Sequence, residues 1–421
     1  MIGPGTLEHL LASSPYNVAR LILPAYARGS AADGTTSAGT GTRAAGAAGA
    51  DPAADARAAG EAAASLLRAW LADGALTVDG SPGLYVYEQR GPGWVQRGII
   101  GLVAVGTDAV HPHEGVMPGP VAGRRELMKA TQSNLEPILL VYSGGAGAGG
   151  HGGPAGPGTA SRLTDLAADS RAPLAQAVTD DGITHRLWAL TDLAEQEAIA
   201  ADLTGRTALI ADGHHRYAAY RELRAQMHAA GAGAGPWDYG LAFLVDADSY
   251  PLRLGPIHRV LPRLEMADAA RLAAEAFTVT EVSGDAAMGC LAAAGESGTA
   301  FLLAGKEGYW LLTDPDRRQL ESAMPPGASA RWRALDASIM QELLLARLWS
   351  IRDNERDVLI SHDAAEAVRM AADSGGTAVL CNPMPLAAVM DIAAHGEKVP
   401  RKSTSFGPKP RTGLVLRTFG T

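Results

Sequence analysis

The feature that most constrains this chain is a short apolar run that breaks at a single glycine and restarts as a helix. Ala208-Leu209-Ile210-Ala211 reads as a strand, Asp212-Gly213 as a tight turn, and His214-His215-Arg216-Tyr217 as the opening of a helix. Tyr220, Leu223 and Met227 fall on one face at i, i+3 and i+7, which carries the helix to about Met227. Asp212 is expected to cap the helix start, and Gly213 to permit a turn or close approach that a side chain would block. Helix N-termini offer unpaired amides and the positive end of the dipole, so this turn suits an anion, above all a phosphate. Arg216 adds a fixed fork of donors, and His214 and His215 exchange protons near neutral pH. Each residue alone is explained by a cap or a surface charge. Few structural turns need all of them together.

Adjacent histidines also raise the question of metal. Side chains of neighbouring turn residues point apart, and no Cys pair or HxxxH spacing accompanies them; His111 and His113 are the other close pair. A metal-centred hydrolase is therefore a weaker reading, and no metal ligands are assigned.

Composition narrows the classes further. At 421 residues the chain is long enough for two or three domains. Lys and Arg number 36 against 45 Asp and Glu, a formal charge of −9, so the chain is not built to hold nucleic acid. Cys290 and Cys381 make no disulfide framework and fit a reducing compartment. The opening Met1-Ile2-Gly3-Pro4-Gly5 lacks a charged leader and a long apolar run, and stretches such as Gly98 to Val105 fall short of the roughly 20 residues that a membrane span needs. A soluble, cytoplasmic protein with a small-molecule partner and no membrane or nucleic-acid partner is expected; oligomeric state is left open.

Along the chain, Ser14-Pro15-Tyr16-Asn17 reads as a turn leading to a short strand, Ala19 to Pro24. Arg28 to Gly60 is Gly/Ala/Ser/Thr-rich and reads as a flexible insertion, followed by a helix over Glu61 to Leu71 with Leu66, Leu67 and Trp70 inward. Strands are expected at Gly83–Glu88, Trp94–Val105, Glu136–Tyr142, Leu241–Val245 and Thr377–Leu380; Asp181–Leu190 reads as a turn and strand, and Ile257-His258-Arg259-Val260 follows the strand Leu241–Val245. Helices are expected from Arg124 towards Thr131, over Ala194–Ala201, and around Leu335, Ile339 and Leu343. Ser143 to Gly158 and Gly231 to Gly235 are two more Gly/Ala-rich loops. The fold expected is α+β in three regions: an N-terminal α+β region over 1–97, a catalytic core over 98–260, and a C-terminal α/β region over 261–421.

Two further segments offer groups that phosphate chemistry uses. Glu114, on the loop His111-Pro112-His113-Glu114, can take a proton from a hydroxyl. Arg401-Lys402-Ser403-Thr404, within a basic stretch that also holds Lys398, Lys409 and Arg411, supplies two cations and two hydroxyls. Neither a GxxxxGK[ST] loop nor a GxGxxG after a strand is present.

These landmarks stand in a telling order: Pro15-Tyr16-Asn17, Leu84-Tyr85-Val86-Tyr87-Glu88-Gln89, His111-Pro112-His113-Glu114, Ala211 to Tyr217, His258-Arg259, and Pro400-Arg401-Lys402-Ser403-Thr404. The series resembles a bacterial family catalogued as domain of unknown function 1015. A wider likeness, carried by Pro137-Ile138 and Gly213-His214-His215-Arg216, is to the ParB/sulfiredoxin superfamily with its mixed-sheet core. The resemblance implies a free-serine kinase using a nucleotide or polyphosphate-type donor such as ATP, ADP or polyphosphate, with Mg²⁺. By the same likeness Glu114 is the base, Asp212, His214 and His215 are further catalytic candidates, and the turn from Asp212 through Gly213 to Arg216 binds the phosphoryl group. His113, Arg401, Lys402, Ser403 and Thr404 surround the donor, and Arg125 holds the substrate carboxylate. A non-catalytic ParB-like module that binds a nucleotide is the alternative. Two departures stand out. Family members begin with a further segment that ends near where this chain starts, and here Ser405-Phe406-Gly407-Pro408-Lys409 lacks the aromatics usual beside the Phe.

Overall fold

A computed structural model describes residues 4–24, 52–145, 158–354 and 356–420. Most of the first expected insertion, and residues 146–157 of the second, lie outside the described residues. The chain is α+β and divides into two units, the first formed by Met1–Val110, Val116–Pro251 and Pro408–Thr421, the second by His111–Gly115 and Leu252–Gly407. No helix among the described residues is long and apolar enough to cross a membrane.

In the first unit the strands are β1 (Leu84–Gly91), β2 (Trp94–Ala104), β3 (Val110–His111), β4 (Ser133–Asn134), β5 (Ile138–Tyr142), β6 (Ala175–Val178), β7 (Thr184–Leu190), β8 (Ala208–Asp212) and β9 (Tyr239–Asp246). All but β4 form one mixed sheet in the order β3-β8-β5-β9-β2-β1-β7-β6. The antiparallel hairpin β1–β2 sets Tyr85 against Ile100 and Gly91 against Trp94. Strand β5 runs parallel to β9 and antiparallel to β8. It is covered on both faces, with Ile138, Leu139, Leu140 and Val141 sealed from solvent, each such side chain contributing about 1.5–3 kcal/mol.

That sheet corrects the expected boundary between 97 and 98, which falls inside β2. A ladder of paired backbone groups cannot be divided there, because each half would leave unsatisfied amides and carbonyls. The last fourteen residues also return to the first unit, where Arg417–Thr418 pairs with β4.

Two helices of the first unit, Pro52–Ala72 and Pro118–Thr131, pack closely. Gly60 allows this, since a Cβ there would stand 2.9 Å from the Ala130 Cβ and 3.2 Å from the Glu126 carbonyl oxygen. The segment Ala19–Ile22 is a short helix rather than the expected strand. The Asn17 side chain accepts from the Ala19 amide at 3.0 Å, which satisfies a helix-start donor, and Leu21 is buried with Leu67 and Trp70.

The second unit is organised on strands β10 (Arg253–Gly255), β11 (His258–Leu261), β12 (Thr278–Val282), β13 (Phe301–Gly305), β14 (Gly308–Thr313), β15 (Leu359–Ser361), β16 (Thr377–Cys381) and β17 (Ser405–Gly407). Six of them form a sheet in the order β12-β14-β13-β16-β11-β15, and β10 pairs with β17. The expected boundary at 260/261 likewise falls inside β11. Leu335, Ile339 and Leu343 are buried as their spacing implies, although the helix Asp336–Ile339 continues over Met340–Leu348 as a π-helix.

Candidate functional site

The first unit carries the turn that the sequence singles out. Strand β8 ends at Asp212, Gly213 adopts φ 99°, and the helix His214–Ala229 begins at once. A side chain at residue 213 would suffer twice. Its backbone would be in the left-handed region, and its Cβ would lie 2.9 Å from the Ile138 Cγ2 and 3.1 Å from the Arg216 Nε. The helix holds to the sheet through buried Tyr217, Tyr220 and Leu223.

Asp212 does not cap this helix; no side-chain cap is made. Its carboxylate instead accepts from Arg216 Nη2 at 2.6 Å and lies 2.7 Å from Lys409 Nζ. The i,i+4 spacing of Asp212 and Arg216 explains the exchange, because a long guanidinium one turn on outcompetes an amide for the same oxygen. Arg216 also lies 3.4 Å from Glu136, donates to the Pro137 carbonyl, and shares Glu136 with Arg124. Three cations and two carboxylates thus alternate as Arg124, Glu136, Arg216, Asp212 and Lys409, for a net charge of +1, and the chain of charges ends on Lys409, which is 61% exposed. Burial pushes the Asp212 pKa up, but Arg216 and Lys409 outweigh it and hold the group below its ordinary value. For Arg216 burial acts downward, and Glu136 and Asp212 overcome it.

The remaining turn residues are fixed as well. His214 is buried. His215 Nε2 accepts from the Met117 amide at 3.1 Å, which places its ring proton on Nδ1. Arg125 donates to Glu222 at 2.6 Å and to Glu126 at 3.2 and 3.3 Å. Its fork is thus committed to two carboxylates on neighbouring helices.

The second unit gathers the other set. The loop His111–Gly115 and the segment from Val399 to Phe406, nearly 300 residues apart in sequence, meet here. The Val399 amide donates to the His113 carbonyl at 2.9 Å, and Phe406 stacks edge-on against the His113 ring at 5.4 Å. The Thr404 hydroxyl donates to Glu114 Oε1 at 2.7 Å and lies 2.9 Å from His113 Nε2. A hydroxyl has one proton to give, so with it committed to Glu114 the His113 Nε2 acts as donor. The buried histidine thereby orients Thr404, and Thr404 orients the carboxylate. Ser403 turns inward to the Pro400 carbonyl at 2.5 Å, and Lys402 is exposed with φ 55°. Arg401 donates to Asp353 at 3.3 Å, while its carbonyl accepts from Arg259 at 3.1 Å.

Sequence reasoning placed His113, Glu114 and Thr404 in one chemistry but found no bond among them, and it assigned no site role to Glu136, Lys409 or Arg259. Lys409 had a signal, its place in a basic stretch. Glu136 and Arg259 acquire their meaning only from three-dimensional partners. Among the described residues no group of three or more His, Cys, Asp or Glu side chains is placed to hold a metal ion.

A family model described as protein of unknown function (DUF1015) matches residues 1–338. The chain belongs to this family. No curated protein matches the chain. Among solved structures, a free serine kinase variant in complex with AMP is similar at 14% identity and a TM-score of 0.36, over 73% of this chain and 87% of that one. A conserved hypothetical protein from Pyrococcus furiosus gives 15% and 0.34, over 73% and 90%. SbnI with a C-terminal truncation, from Staphylococcus aureus, gives 11% and 0.35, over 74% and 84%. All three likenesses are remote in sequence and partial in shape.

Proposed function

We propose that this DUF1015 member is a phosphotransferase that moves a phosphoryl group from a nucleotide or polyphosphate-type donor to the hydroxyl of a small metabolite. Free L-serine is the first substrate to test, as the family resemblance of the sequence implies. The observation that carries the reading is the Asp212–Arg216 turn, where a helix N-terminus and the exposed Lys409 supply positive potential beside a glycine that lets the strand turn straight into the helix. Asp212 is the positioning residue, since it fixes both cations while its own charge is spent on them.

Glu114 serves as general base. As the substrate oxygen attacks phosphorus, its proton passes to the Glu114 carboxylate, and the bond to the donor's bridging oxygen breaks with its electron pair leaving on the donor. Thr404 and His113 hold that carboxylate in one orientation. Within the first unit Gly213, Arg216 and the first-turn amides of His214 and His215 suit a phosphoryl group; within the second Arg401 and Lys402 suit a donor's charge. Mg²⁺, which phosphate charge usually needs, would supply further charge neutralisation. Arg125, committed to Glu126 and Glu222, is given no substrate role.

The test is phosphoserine formation from L-serine and Mg²⁺ with ATP, ADP, pyrophosphate and polyphosphate in parallel. Product with one donor and its loss in Glu114→Gln, with donor binding retained, supports the reading. A chain that binds nucleotide and is indifferent to Glu114→Gln is instead a regulatory binding module.

A further inference from the structure

Among the described residues the two large sheets end on four strands, and three of these are blunted against further pairing. Strand β3 is two residues long and β15 three, too short to template a neighbour, and β12 carries the exposed charge of Glu281. Strand β6 has neither safeguard. All four of its residues are exposed, and the run Leu174-Ala175-Gln176-Ala177-Val178 holds no charge and no proline. Leu174 is 59% and Val178 65% exposed, which puts two large apolar side chains on the rim of the sheet.

The backbone of β6 is half used. Its register with β7 sets Gln176 against Arg186 and Val178 against Thr184, and the Thr179 amide donates to the Ile183 carbonyl at 3.0 Å. Hydrogen-bonded and non-bonded pairs alternate along an antiparallel ladder. The amides of Ala175 and Ala177 therefore point at β7, and those of Gln176 and Val178 point outward. The Leu174 amide goes to the Leu187 carbonyl at 2.7 Å, which closes the outer row of donors at that end.

The charges beside the strand select what fits there. Arg171 precedes it, and Asp180 and Asp181 follow it. Asp180 is fully exposed, while Arg171 and Asp181 remain 38% and 46% exposed although they pair with Glu195 and Arg411.

We propose that β6 is a contact between two copies of this chain, each laying its β6 antiparallel to the other across a two-fold axis at Gln176. Reversed on itself, the strand is self-complementary, as a two-fold contact requires. Leu174 opposes Val178, Ala175 opposes Ala177, and the basic entrance of one copy meets the acidic exit of the other. The two Gln176 residues exchange backbone hydrogen bonds, and two sheets become one. An unrelated strand has no reason to share this charge order. The contact uses none of the residues given to phosphoryl transfer, so the inference stands apart from that reading.

The experiment is sedimentation velocity of the full chain from about 1 to about 100 µM, where a monomer–dimer equilibrium is expected. Val178→Lys puts a charge on the rim and should weaken dimerisation about tenfold or more, with circular dichroism unchanged. A charge swap tests the orientation. Arg171→Glu and Asp181→Lys should each weaken self-association, since like charges then face one another. Mixing the two variants should restore a dimer, because every facing pair is again opposite in sign. If either of these two variants is unfolded, Val178→Lys alone still decides. A chain that stays monomeric over that range, a dimer that Val178→Lys leaves intact, or no recovery on mixing folded variants would overturn the proposal.

Discussion

Arg216 in the first unit and Arg259 in the second are both largely shielded from water, yet they are satisfied in opposite ways. Arg216 sits between Asp212 and Glu136 and is held charged by them. Among the described residues Arg259 donates to carbonyl oxygens, and burial works against its charge. The contrast extends to the surroundings. The turn in the first unit is ionic, a row of alternating charges that ends on an exposed lysine. The Glu114 loop in the second unit is a hydrogen-bond relay from a buried histidine through a threonine to one carboxylate. An ionic row suits holding a phosphoryl group, whereas a single oriented carboxylate suits moving a proton.

The largest expected effect tests that division of labour. Glu114→Gln should lower turnover by roughly 10²–10⁴-fold while donor affinity, measured by equilibrium binding, stays as it is. Unchanged turnover would remove the catalytic half of the comparison.

Next come the arginines themselves. Arg216→Met removes the central cation of the row, leaving Glu136 to Arg124 and Asp212 to Lys409, and should cost about 3 kcal/mol in denaturant unfolding. Arg259→Met leaves only carbonyls unsatisfied and should cost about 1–3 kcal/mol. Equal losses would mean that the ionic and non-ionic sites are not energetically distinct.

Gly213→Ala should destabilise by about 1–2 kcal/mol through its positive φ and weaken phosphate binding, because the new Cβ presses on Ile138 and Arg216. The pH dependence sharpens the same site. Asp212 has a folded-state pKa below its ordinary value of 3.8, so its stabilisation is complete above that value and is lost as pH falls through the folded value. Asp212→Asn should therefore flatten the stability curve below pH 3.8 and leave its neutral-pH slope unaltered. A parent and variant with parallel acid limbs would contradict the pairing. The smallest effect belongs to Lys409→Ala, with less than about 1 kcal/mol of stability lost from an exposed pair, but with a several-fold weaker response to added phosphate.

How far residues can be read in isolation varies along this chain. The apolar run of β5 and the i, i+3 face of the helix after Gly213 announce themselves, because burial on a sheet demands those periods whatever the neighbours are. Gly213 is equally legible, since a strand that turns straight into a helix has few other residues to use. Ala19–Ile22 was not legible: four residues carry too little pattern, and the Asn17 side chain decided for helix. The unit boundaries were hidden for a related reason. Which strands share a ladder depends on partners far away in sequence, and the chain leaves and re-enters the first unit twice.

The sequence by itself determined the local grammar of the site, an anion-suited turn with its glycine and arginine, a carboxylate on a polar loop, and a basic segment near the end. Only the tertiary structure decided what each charge is for. It turned Asp212 from a helix cap into the anchor of two cations, committed Arg125 to Glu126 and Glu222, and bound Thr404 to Glu114 and His113. The physical reason is that a charged side chain reaches several ångströms in any direction, so its partner is set by folding, while the backbone preference of a glycine or an apolar strand is set within a few residues.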